Sequence, residues 1–278
     1  MLHRSLARCA PLHSLRNAVS RTVAALQPGD LLFVEQQWDS SSSLDCAIRT
    51  VGTTTISWLE KRGASPVCRD TAVHVALVKD TGGEASIIEA ARGVGVRQVP
   101  LPHFLHNFSR LGYRIFHGKV LGITQAQASR AVTFASEKCG RPYSEDYSEP
   151  NSANEMYYCS SLADYAYRNA VGSDLFFTKE PFPLIFEPRL FWEQYYEERG
   201  EVVPPWTGSN PTMLLHSPRV KYYETIFASF AASRRKLDEL DSNVDLEEYM
   251  LALQEFASRP ATSTPLLPIR RTGTTRLD

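Results

Sequence analysis

Hydrophobic residues fall into short runs along the first half of the chain and shift to a helical spacing further on. Leu31-Leu32-Phe33-Val34 follows the turn signal Pro28-Gly29-Asp30 and reads as a short buried strand. Ala72 to Val78 is nearly all apolar and β-branched. Ala85 to Ala91 repeats that character after a turn at Thr81-Gly82-Gly83, so the two runs predict a hairpin. Val94, Val96 and Val99 alternate before Pro100, and Tyr113 to Phe116 alternates again, which adds two extended segments. Residues 35–70 lack a sustained period. With serines at 40–43 and threonines at 53–55, they read as a long irregular excursion over one end of the domain, with a short helix near Ile56 to Lys61.

The helical spacing begins at Thr124. This residue can cap a helix running to Lys138, in which Ala126, Ala131, Phe134 and Ala135 form the apolar face and Gly140 the stop. A second helix covers Ser160 to Val171. Cys159, Leu162, Ala163, Ala166 and Ala170 recur on one face, Cys159 stands in the first turn, and Gly172 ends it. An aromatic- and proline-rich passage follows, loop-rich but apolar enough to pack on the core. Strands in succession followed by helices predict an α+β domain with an antiparallel sheet packed against the Cys159 helix, over residues 27–230. Residues 231–258 read as an amphipathic helical extension and 259–278 as an unordered Pro/Thr/Arg tail.

Charge divides the chain in the same way. The 278 residues carry a net charge of -1, which argues against nucleic-acid binding through a broad basic surface. No apolar stretch is long enough for a transmembrane helix. Residues 1–26, however, hold four arginines and no acid, the bias of a mitochondrial leader or of an unordered basic terminus. The five cysteines are scattered, with neither a disulfide framework nor zinc spacing, so a reducing compartment is expected.

Candidate chemistry centres on Cys159, His74 and Glu89. A cysteine at a helix N-terminus meets unpaired N–H groups and the positive end of the dipole, which favours a thiolate nucleophile. His74 and Glu89 lie on the two strands of one hairpin, where the carboxylate can orient the imidazole if the two share a face. Each also has a structural reading, as a small buried hydrophobe, a satisfied core histidine or a solvated strand end. Other signals are weak. His103 and His106 lack a third metal ligand, Ser160-Ser161 lacks a GxSxG elbow, and no glycine-rich phosphate loop is present, so neither metal nor cofactor is expected.

Ordered pieces of the chain resemble the permuted papain-like amidases of the NlpC superfamily, in particular the YaeF/YiiX group. Pro28-Gly29-Asp30-Leu31-Leu32-Phe33 is similar to that group's opening strand, His74-Val75-Ala76-Leu77-Val78 to its histidine strand and Ile88-Glu89-Ala90 to its acidic strand. Gly140-Arg141-Pro142-Tyr143 resembles the turn before the nucleophile helix, and Tyr158-Cys159-Ser160-Ser161-Leu162 the nucleophile motif. The resemblance implies a permuted papain-like (NlpC-type) fold with Cys159 as nucleophile, His74 as base and Glu89 orienting it. It also implies hydrolysis of an amide or ester through a thioester, with a small-molecule, peptide or lipid amide as substrate. A lipid-directed acyltransferase, a thioesterase or a silent binding module on the same scaffold are the alternatives.

Overall fold

The computed structural model describes residues 26–223 apart from 37–42, 65, 67, 81–84, 111–112, 152 and 154. The basic leader, the helical extension at 231–258, the tail at 259–278 and the turn at Thr81-Gly82-Gly83 therefore lie outside the described residues, Leu26 excepted.

Strand β1 (Leu31–Glu35) is buried along its whole length and pairs antiparallel with β2 (His74–Asp80) and with β5 (Arg114–Val120). β3 (Ser86–Ala91) pairs with β2 and with β4 (Gly95–Pro100), and β8 (Val220–Tyr223) closes the far edge beside β5. The result is a six-stranded antiparallel sheet in the order β4-β3-β2-β1-β5-β8. Both of its faces are covered. On one side Leu31, Phe33, Val75, Leu77, Ile88 and Ala90 meet α3 (Gln125–Glu137) and α4 (Cys159–Val171). On the other, Leu32, Val34, Ala76, Val78 and Ile87 meet Leu101, Phe104 and Leu105 of α2 (Leu101–Arg110). Burial on two faces explains why the central strands read as apolar runs rather than alternating patterns.

Helix α3 is capped as its sequence predicts. The Gln127 N–H donates to Thr124 Oγ1 at 3.2 Å, and Gln127 Oε1 accepts from the Thr124 N–H at 2.8 Å, a complete capping box. Helix α4 ends at Gly172, whose φ of 73° is the left-handed conformation that stops a helix.

The segment read as an irregular excursion is instead largely α1 (Ser43–Glu60), an 18-residue helix. Its β-branched residues and Gly52 are poor helix formers, but Leu44, Ala47, Val51, Thr55 and Ile56 supply a buried face, and tertiary burial outweighs propensity. Thr50, Thr54 and Thr55 donate their hydroxyls back to the carbonyls of Cys46, Thr50 and Val51, so a run that looks like loop chemistry is satisfied inside a helix. Gly52 is the contact point. A β-carbon there would stand 2.6 Å from Thr212 Oγ1 on α6 (Pro211–Leu215). Within the passage read as loop-rich, the structure places α5 (Arg189–Glu197), a two-residue ladder of β6 (Phe182–Pro183) with β7 (Thr207–Gly208), α6 and the edge strand β8. The expected packing is present all the same, with Phe176, Phe177, Phe182, Met213, Leu214 and Leu215 buried in the main core.

Candidate active site

The nucleophile candidate is held by the start of α4. Tyr158 is extended (φ −94°, ψ 169°) and its backbone N–H donates to Ser161 Oγ at 3.0 Å, fixing the entry into the helix. The Tyr158 hydroxyl accepts from the Ser209 N–H at 3.1 Å, and Ser160 Oγ donates to the Ser209 carbonyl at 3.2 Å, so the first turn is tied to the segment that leads into α6. Upstream, Tyr143 and Tyr157 form a parallel bridge, with Tyr157 N–H donating to the Pro142 carbonyl at 3.1 Å. Glu155 beside it pairs with Lys138 and Arg141. Cys159 is buried at 7% exposure.

His74 is the first residue of β2, and Glu89 lies in β3. Carrying the Leu77–Ile88 register backwards puts Ala76 opposite Glu89 and His74 one pleat further along the same face, a diagonal pair. The two side chains meet: His74 Nε2 and Glu89 Oε2 are 2.7 Å apart. Phe108 stacks on the imidazole at 5.6 Å between centroids, and Phe104 lies at 6.3 Å, so α2 walls one side of the ring. Helix α4 covers the opposite face of the sheet, and Cys159 in its first turn stands close enough to the imidazole to favour its charged form. All three residues line one cavity of about 300 Å³.

The electrostatics follow from that arrangement. Burial alone would strip the proton from His74, but its hydrogen bonds with Cys159 and Glu89 and their charges push its pKa up to about 10. Glu89 is 3% exposed, and burial likewise disfavours its charge. The hydrogen bond and charge of His74, then those of Arg97, outweigh that and hold its pKa below the ordinary carboxylate value. Arg97 Nε and Nη2 both donate to Glu89 Oε1, at 2.9 and 2.7 Å.

Arg97 was not singled out from sequence. Its signal is the hairpin itself, because the Ala91–Gly95 pairing puts Arg97 directly across from Glu89. The aromatic wall was also missed. Tyr147, Trp192 and Phe186 face the cavity, with Leu44, Ile48 and Val51 of α1 and Leu184 and Ile185 beside them. Tyr147 has a φ of 58°, a left-handed backbone in a bulky residue, and sits at the centre of rings from Tyr158, Trp192 and Tyr195. The acidic Glu145–Glu149 stretch is engaged by neighbouring side chains. Glu145 pairs with Arg92, Asp146 accepts from Ser144 and Ser148, and Glu149 accepts from the Tyr165 hydroxyl. His103 and His106 do lie on a helix, α2, with His103 exposed.

Comparison with known proteins agrees with the fold. A crystal structure of metalloprotein YiiX from Escherichia coli O157:H7 aligns with a TM-score of 0.50 at 16% identity, covering 72% of this chain and 97% of that one. Among the described residues, no group of three or more histidines, cysteines and carboxylates is gathered as a metal site. No curated protein matches the chain. The family model for permuted papain-like amidase enzymes, YaeF/YiiX, C92 family, matches residues 25–221, and the chain belongs to that family.

Proposed function

We propose that the protein is a cysteine-dependent amidase in which Cys159 is the nucleophile, His74 its acid–base partner and Glu89 the group that orients the imidazole. The observation that carries the reading is the His74–Glu89 hydrogen bond of 2.7 Å, made in the cavity that Cys159 also lines. In this reading the Cys159 Sγ attacks the substrate carbonyl, and a C–S bond forms as the C–N bond breaks. His74 passes its proton to the departing amine, leaving an acyl thioester. Water, deprotonated by His74, then attacks the thioester carbonyl and restores the thiol. The backbone N–H of Cys159, in the unpaired first turn of α4, is suited to the developing oxyanion.

The cavity favours an acyl group with substantial apolar surface. Leu44, Ile48, Val51, Leu184, Ile185 and Phe186 line it, and a buried apolar group gains about 25 cal/mol per Å² removed from water. That same lining supports a second reading, acyl transfer from a lipid-like donor to an acceptor other than water. The basic leader supports, in the same spirit, a mitochondrial address. Extracts incubated with wild-type and Cys159→Ala protein, compared for N-acyl amides and released amines, test the first reading. Products confined to the wild type are expected, and identical profiles would count against hydrolysis. Acylated acceptors in place of free acid would favour transfer.

A further inference from the structure

We propose that Arg97 is a positioning residue for the reaction, one that holds Glu89 in place and charged so that Glu89 can hold His74; this rests on the Cys159–His74–Glu89 reading above. Glu89 is almost fully buried, and a buried carboxylate is tolerated when its oxygens are satisfied. The two oxygens are divided without overlap. Oε2 faces His74 at 2.7 Å, while Oε1 takes both guanidinium donors. The two donors converge on Oε1, which holds the carboxylate's charge and leaves Oε2 to face His74.

The pairing is built into the sheet. Glu89 and Arg97 are direct partners in the β3–β4 register, joined by a tight turn at Arg92–Val94, so the guanidinium reaches Glu89 from a rigid neighbour. An ordinary exposed cross-strand ion pair contributes little. Here the acceptor is buried and shared with the imidazole, so loss of Arg97 leaves Oε1 without its two donors and burial acting on the carboxyl unopposed from that side. The groups facing His74 are Glu89 from β3, Cys159 from α4 and the rings of Phe104 and Phe108 from α2. The state of Glu89 therefore bears directly on the proton of His74.

The test uses Arg97→Met, Arg97→Lys, Glu89→Gln and the double variant Arg97→Met/Glu89→Gln of the full chain. Two readings are taken: the rate of Cys159 alkylation by iodoacetamide at pH 7, and the pH at which His74 loses its proton, followed by NMR of labelled imidazole. Arg97→Met is expected to slow alkylation by about 10- to 100-fold, since a misplaced reacting group can cost up to about 100-fold, and to shift the His74 midpoint. Lysine should restore part of both. In the Glu89→Gln background Arg97→Met should add nothing, because its route of action is already gone. A folded Arg97→Met protein with wild-type rate and midpoint overturns the proposal, as does an equal loss in the Glu89→Gln background. If Arg97→Met does not fold, Arg97→Lys decides, and an unchanged midpoint there counts against it. Should Glu89→Gln itself leave both readings unchanged, the triad reading fails and the role of Arg97 fails with it, an outcome distinct from loss of the Arg97 effect alone.

Discussion

Single side chains near the site carry charges that burial would remove if neighbours did not hold them. His74 is the clearest case, with its proton kept by Cys159 and Glu89 to about pH 10. Its folded value lies above its unfolded one, so the stability it contributes is complete below about pH 6.5 and is lost as the pH rises through the folded value. Asp164, on α4 but away from the cavity, shows the opposite balance. Burial raises its carboxyl pKa to about 7, and Arg168 only partly opposes this. A carboxyl raised in this way binds its proton more tightly folded than unfolded, so stability falls as pH climbs from about 4 towards 7. Asp164→Asn should therefore gain on the wild type between pH 5 and pH 8 in urea unfolding, and parallel losses in the two proteins would contradict this. Cys159, His74 and Glu89 can be picked out in sequence as candidates because each sits on a regular element, and the structure brings all three to one cavity. Arg97 cannot, since a lone arginine in a short strand looks like any solvated charge until its strand partner is known.

At the level of elements, the turn before α4 is anchored to the sheet edge. Val96 N–H donates to the Arg141 carbonyl at 2.8 Å, and Gly140 N–H donates to the Val96 carbonyl at 2.8 Å, joining β4 to the Gly140-Arg141-Pro142-Tyr143 turn. Gly95 makes this approach possible, because its φ is 92° and a β-carbon there would fall against the Arg141 carbonyl oxygen. Gly95→Ala should cost about 1–3 kcal/mol in unfolding free energy and slow the reaction by disturbing the turn. An unchanged denaturation midpoint would contradict that account. Both helices with clear stops, α3 and α4, are readable from sequence, while α1 is not. Its threonine run satisfies hydroxyls in the i−4 pattern, and its buried face becomes visible only against Thr71 and Thr212. The edge strand β8 escapes for a related reason, since Val220–Tyr223 acquires its extended form by pairing with β5, far away in sequence.

Across the whole molecule, the site lies where the sheet end and the first turn of α4 meet a second, aromatic cluster. Tyr147, Tyr158, Trp192, Tyr195 and Tyr196 pack with Leu44, Ala47 and Val51 of α1, so the excursion and the late aromatic passage together build the wall facing Cys159. Sequence reading places the catalytic candidates and leaves this wall unseen, because it is assembled from segments more than a hundred residues apart. The wall predicts selectivity. Ile48→Trp should narrow the cavity and lower kcat/KM for long apolar acyl groups by about 10-fold or more relative to short ones, measured on an acyl-chain series, and equal losses across the series would contradict the assignment. Acyl transfer through Cys159 can be followed by rapid-quench intact-mass and peptide-mapping measurements during turnover of an activated apolar acyl ester. One acyl increment is expected on the peptide bearing Cys159, absent in Cys159→Ala. An adduct elsewhere, or turnover that persists without Cys159, would contradict it.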